Sequence, residues 1–201
     1  LEPGKVPYPN ANIYHFDQST EVQTAAHYRP GEWGRMFMLS YTEDPKYKGF
    51  AESATILTYM HFEEVRHWEL SFNIVKKESL RDRSYQDFKE GKTEELLEKV
   101  LTVVPELKGH ILYQEASTPL SYRDYIGSRA GNMYGFAKEK DHPMKTMISP
   151  RTKIPNLYLT GQNVRLHGIL GVVITAFATC GEILGYNYLF SKIKNHSVHD
   201  T

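Results

Sequence analysis

The 201-residue sequence has one cysteine, Cys180, which rules out an internal disulfide framework and fits a reducing, cytoplasmic setting. Charge of either sign is not in excess. The 24 Lys and Arg balance 24 Asp and Glu, so the broad positive field of a nucleic-acid-binding protein is missing and nucleic acid is set aside as a partner. No apolar run is long enough to span a membrane: the stretch from Gly168 to Gly181 is uncharged, but Glu182 breaks it well short of the roughly 20 residues required. The chain opens Leu1-Glu2-Pro3-Gly4, without a Met, a basic segment or the apolar core of a signal peptide, and reads as a portion of something longer. A Gly-x-Ser-x-Gly nucleophile elbow is absent, as is a Gly-x-Gly-x-x-Gly dinucleotide turn. Nothing is repeated or compositionally biased, which excludes solenoids and low-complexity tails.

What is present is an ordinary globular balance with a heavy aromatic content, 14 Tyr, 9 Phe and 2 Trp, suited to a core or to the wall of an apolar cavity. Asn12 to Phe16, Trp33 to Tyr41 and Ala54 to His61 are short β-branched and aromatic runs between turn residues, and each predicts a strand. Trp68 to Val75 fits a strand or a helix equally well. From Ser84 to Leu107, Tyr85, Phe88, Leu96, Leu97, Val100, Leu101 and Val104 recur at threes and fours amid Lys and Glu, which predicts an amphipathic helix interrupted near Gly91 and ended by Pro105. Ile111 to Tyr113 predicts a further strand, and Leu120 to Pro155 a long loop without regular structure, of the sort kept for function.

Several apparent sites dissolve on inspection. Glu64-x-x-His67 and Glu139-x-x-His142 have the spacing of di-iron bundles, but those need four long helices, and Pro143 follows His142 directly. His61 and His67 are six apart, the wrong spacing for a zinc pair on one helix face, so no metal is expected. Cys180 falls among apolar neighbours mid-helix, where filling space is its expected role.

The most informative stretch is Asn156 to Gly171 and the apolar run that follows it. A short strand ending at Gly161, a polar loop, and Gly168 and Gly171 opening a long helix are the expected elements. Free amides at a helix start can face a phosphate or an electron-rich ring, and glycine lets a ligand approach the backbone. On that helix Gly171, Thr175, Ala178, Gly181 and Gly185 make one face nearly without bulk, against which something must pack closely, while Val173, Ile174, Phe177, Leu184 and Tyr188 make the rest apolar. A helix apolar nearly all round is expected to be buried centrally.

Tyr158-Leu159-Thr160-Gly161-Gln162-Asn163, with Gly168-Ile169-Leu170-Gly171 opening a helix, resembles the C-terminal flavin motif of FAD-dependent enzymes related to phytoene desaturase, carotenoid isomerase and retinol saturase (all-trans-retinol 13,14-reductase). Upstream, Tyr85 and Lys89, Pro105-Glu106-Leu107, Thr118-Pro119 with Tyr122, and Gly131-Asn132-Met133-Tyr134-Gly135 resemble, in order, the blocks that precede that motif. The likeness runs from about Asp44 to Phe190 and is greatest to the retinol saturase branch. It implies an α+β fold: a mostly antiparallel sheet of a substrate-binding region over 1–155 with the 84–107 helix across one face, then the C-terminal strand, loop and helix of an FAD-binding domain over 156–193. The N-terminal dinucleotide-binding domain of such enzymes has no counterpart here.

The resemblance further implies an oxidoreductase that saturates or desaturates a carbon–carbon bond of an apolar isoprenoid, retinoid or carotenoid, with FAD as cofactor and NAD(P)H as a candidate electron donor. Gly161, Gln162 and Asn163 would approach the ribityl and pyrophosphate region, Gly168 would open the helix, and the amides of Leu170, Gly171 and Val172 would face the pyrimidine edge. Gln162 stands where many relatives carry an acid. Met133, Tyr134 and His167 would line the substrate's side of the ring, and no residue is assigned as acid or base. A flavin-dependent polyene isomerase and a non-enzymatic apolar-ligand-binding module remain open as alternatives. Taken alone, the chain is expected to bind FAD weakly, to be inactive, and to hide its small-residue stripe by self-association or by folding that helix onto its own sheet; a peripheral membrane contact through an apolar edge also stays open.

Overall fold

The computed structural model describes residues 1–17, 27–29, 31–73 and 81–197, and it forms two compact units that divide at Gly131/Asn132. In the first unit, β1 (Ile13–Phe16), β2 (Met36–Glu43) and β3 (Ala51–Leu57) make an antiparallel sheet in sequence order. Period-two alternation sends Phe37 and Leu39 of β2 inward, both buried, and a bulge at Thr42/Glu43 shifts the register against β3. The strand expected over 54–61 sits over Ala51–Leu57 because its edge is extended by the N-terminal segment: the Ala51 amide donates to the Val6 carbonyl, 2.8 Å, and Val6 is buried beside it.

Helix α1 (Arg83–Val103) begins at Asp82, whose carboxylate accepts from the Tyr85 amide. It runs without a break through Gly91, contrary to the expected interruption. A mid-helix glycine costs only about 1 kcal/mol against alanine, and both halves of α1 are held by tertiary packing. Val100, with Val104 and Leu107 just beyond the helix end, joins Phe37, Leu39, Ala51 and Val6 in one core, so the helix lies across the sheet face as expected. Tyr85 joins Val65 and Leu120 in a second. Pro105 starts a single 3-10 turn, Pro105–Leu107, and ends the α-helix as its missing amide requires.

Two expectations fail nearby. Ile111 to Tyr113 forms no strand, since among the described residues no strand pairs with it, and Leu112 and Tyr113 are exposed. The long loop expected from Leu120 contains α2 (Pro119–Ile126), which the sequence marks in hindsight: Pro119 at its first position, a reciprocal cap between Thr118 and Ser121, and Gly127 in the left-handed region at its end. Phe62–Trp68 is 3-10 helix, and Ile74 and Val75 lie outside the described residues.

The second unit holds α3 (Gly168–Leu184) and α4 (Tyr186–Ser197), bent by 119° about Gly185 (φ +89°). No single helix among the described residues is long and apolar enough to cross a membrane. The strand expected before Gly161 reduces to one bridge, Arg151 to Tyr158, because Asn156 turns the chain with φ +62° immediately before it. Nor is α3 centrally buried. Of its small-residue stripe Gly171, Thr175, Ala178 and Gly181 are buried, whereas Gly185 lies just past the helix end and is exposed; Ile169 and Leu170 are 90% and 72% exposed and Val173, Ile183 and Leu184 are more than half exposed. Cys180 is exposed as well, so it fills no space in a core.

Candidate functional site

The 132–135 turn and the 161–167 loop converge within the second unit. Asn132 closes its own turn by accepting from the Gly135 amide, 2.9 Å. A Cβ on Gly135 would stand 2.6 Å from the Asn163 Cα, so only glycine at 135 allows the two segments to cross this closely. The Gln162 side-chain amide donates to the Met133 carbonyl, 3.2 Å, and the Tyr134 and His167 rings meet with centroids 4.5 Å apart at 35°. Met133, Tyr134, Gln162, Asn163 and His167, singled out by sequence from segments about thirty positions apart, thus lie together beside the start of α3.

The loop is fixed to α3 from the other side. A Cβ on Gly171 would come within 2.7 Å of the Leu166 backbone, so this glycine serves a close crossing of chain over helix. The Thr179 hydroxyl meets the Thr160 hydroxyl at 3.1 Å and bonds the Thr175 carbonyl one turn back. Arg151 donates to the carboxylate of Glu182, 2.9 Å, and to its main-chain carbonyl, 2.6 Å. That bond holds the Glu182 carboxyl below the ordinary glutamate range, and gives the one charge in the apolar helix a partner. Tyr186 lays its ring over Gly181, where a Cβ would be 2.3 Å from it, and covers the Ala178–Gly181 end of the small-residue face, as Leu166 covers its Gly171 end.

The start of α3 is left open. His167 is the residue before the first turn, and no side chain caps the helix. Because the helix begins at Gly168, the amides of Gly168, Ile169 and Leu170 precede its internal ladder, while those of Gly171 and Val172 are the first taken up by it. Of the three amides expected at a flavin edge, that of Leu170 stands outside the helix ladder and those of Gly171 and Val172 enter it. Gly161 (φ +99°) and Gly168 (φ +76°) both have left-handed backbones with no heavy atom within 4 Å of where a Cβ would stand. Free amides at a helix start that opens on Gly168, with space for a ligand against that backbone, fit an electron-rich ring edge or a phosphate oxygen, and so the residues present fit a flavin.

What the sequence missed is the Gly135–Asn163 crossing, although Asn132 three residues before Gly135 is a turn signature that could have located it. Among the described residues no three His, Cys, Asp or Glu side chains assemble into a metal-binding set.

No protein-family model matches the chain, and no solved structure does. The chain is 31% identical over 139 residues to a Danio rerio protein named all-trans-retinol 13,14-reductase, covering 65% of this chain and 21% of that relative. It is 32% identical over 118 residues to the Homo sapiens protein of the same name (57% and 19%) and 27% identical over 144 residues to that of Rattus norvegicus (70% and 22%). The chain spans about a fifth of the length of these curated relatives. By sequence it is a relative of the all-trans-retinol 13,14-reductases.

Proposed function

We propose that this chain is the C-terminal, flavin-facing part of an FAD-dependent oxidoreductase that adds hydrogen across a carbon–carbon double bond of a retinoid or a closely related apolar polyene. The observation that supports this reading is the contact of the Met133–Tyr134 turn with the loop that leads into the uncapped start of α3, through Gln162 to Met133 and Tyr134 to His167, in a chain whose relatives are named all-trans-retinol 13,14-reductase. When bound, the flavin would supply hydride chemistry.

The chain's own contributions follow from its geometry. The uncapped start of α3 places amide dipoles where negative charge would develop on a reduced ring, and dipoles fixed in advance stabilise that charge without reorganising. Gly161 and Gly168 let the ligand reach the backbone. Tyr134 and His167 present an aromatic wall suited to a flat conjugated substrate, and the exposed Ile169 and Leu170 extend it with apolar surface. Among the described residues the only sheet is antiparallel, so no βαβ phosphate cradle is among them; contact would be made to one side of a dinucleotide, and this chain alone should hold FAD weakly.

The test uses the natural protein that carries this chain, purified and examined for bound flavin by visible absorption, then incubated with all-trans-retinol and a chemical reductant. A flavin spectrum and a product heavier by two hydrogens are the expected results. Retinoid isomers formed without net reduction would favour an isomerase, and a colourless protein that binds retinol unchanged would overturn the reading.

A further inference from the structure

Two half-exposed rings do not stay stacked by their own attraction, because water competes for both faces and each side chain keeps its rotamers. The Tyr134–His167 pair therefore needs its two backbones held in register. The Asn132 turn shapes the Tyr134 backbone internally, and the Gly135–Asn163 crossing sets how near the turn and loop can come. Gln162 adds a directional bond next to the ring itself: its side-chain NH₂ reaches the carbonyl of Met133, the residue immediately before Tyr134, from the loop that ends in His167. Chemistry sets the amide's orientation, since only its nitrogen can meet a carbonyl oxygen. One of the two N–H donors of the Gln162 amide is thus spent inside the protein, leaving the other N–H and the amide oxygen for a ligand.

We propose that Gln162 is a positioning residue: it latches the Met133–Tyr134 turn to the Gly161–His167 loop and so holds the Tyr134 ring on the His167 ring at the open start of α3. That this stack forms a ligand wall rests on the function proposed above, whereas the latch does not. Replacing Gln162 by Met keeps length and removes the donor. Replacing it by Glu sets a carboxylate against a carbonyl and drives the turn away.

The experiment is NMR on the chain, reading the His167 ring protons, which lie over the Tyr134 ring and feel its ring current. Tyr134→Leu gives their positions with the stack removed. Gln162→Met is expected to move them most of the way to those positions, and Gln162→Glu at least as far, with the backbone amides of α3 beyond its first turn unchanged in both. His167 shifts that stay at their unsubstituted values in either variant overturn the latch. So does movement accompanied by general shifts along α3, which would mean that Gln162 merely supports the unit. The flavin reading fails separately, in a colourless natural protein, and that result leaves the ring shifts to decide the latch on their own.

Discussion

Glycines in the second unit look alike in the sequence and differ in what each would suffer from a methyl group. At Gly171 the obstacle is space, because a Cβ would strike the Leu166 backbone, which cannot yield as a flexible side chain can. Gly171→Ala should lower the stability of the unit by about 1–3 kcal/mol, the usual range for overpacking. At Gly161 space is open and the obstacle is the backbone, φ +99°. Gly161→Ala should cost about 1–2 kcal/mol of left-handed strain and should weaken ligand approach more than it weakens the fold. Denaturant melts of the two variants beside the unsubstituted chain, combined with flavin content in the natural protein, separate them. In the first unit Asp124 has a fully buried side chain, which accepts from Arg81 at 2.5 Å, from Arg123 at 2.7 Å and from the Asn73 amide at 3.1 Å. Asp124→Ala leaves the Arg81 guanidinium, 1% exposed, without its counter-charge, and should cost about 3–5 kcal/mol by urea denaturation.

Among the elements, α3 depends on what is laid over its small-residue face. Tyr186 occupies the space a Cβ at Gly181 would need, and its hydroxyl reaches the Ala178 carbonyl, 3.2 Å. Gly181→Ala should therefore displace the Tyr186 ring. In a double-mutant cycle it should destabilise much less when Tyr186 is already alanine, a non-additivity that melts of all four proteins would measure. The Arg151–Glu182 pair adds a pH dependence with a definite sign. Arg151 lowers the folded-state pKa of Glu182, so the pair stabilises above the unfolded value, about 4.3, and its contribution is lost as pH falls through the depressed folded value. The melting-temperature gap between the unsubstituted chain and Glu182→Gln should be present near neutrality and close on acidification. Much of this was legible beforehand. The stripe from Gly171 to Gly185 announced a close neighbour, and the short aromatic and β-branched runs announced β1 to β3, because both patterns are local. That Tyr186 would be the neighbour was not legible, since it depends on a 119° bend at Gly185 which the sequence read as continuous helix.

At the scale of the whole molecule, the contrast is between a covered face of α3 and an open one. Ala178 is 5% exposed, whereas Val173 is 60% exposed. Ala178→Glu should lower the melting temperature sharply, because an unpaired charge would enter a dry contact. Val173→Glu should leave the melting temperature nearly unchanged and reduce self-association, because contiguous exposed apolar surface of this kind drives association. Sedimentation of the two variants at several concentrations checks both, and a Val173→Glu chain that sediments like the unsubstituted one would remove the open face as the cause.

The sequence by itself determined the α+β class, the sheet's strands, the amphipathic α1 and the stretch from Tyr158 to Gly171 as the place to look, since each follows from the spacing of residues close along the chain. It mistook Ile111 to Tyr113 for a strand because strand propensity says nothing about whether a partner edge is near. It ran α3 into α4 because apolar composition continues past Gly185 while the backbone does not. Only the tertiary structure decided that Gly171 serves a chain crossing, that Gln162 bonds to Met133, and that Tyr134 lies on His167. The last two contacts join segments about thirty residues apart, and their geometry is set by the atoms at the crossings, the Gly135–Asn163 approach above all.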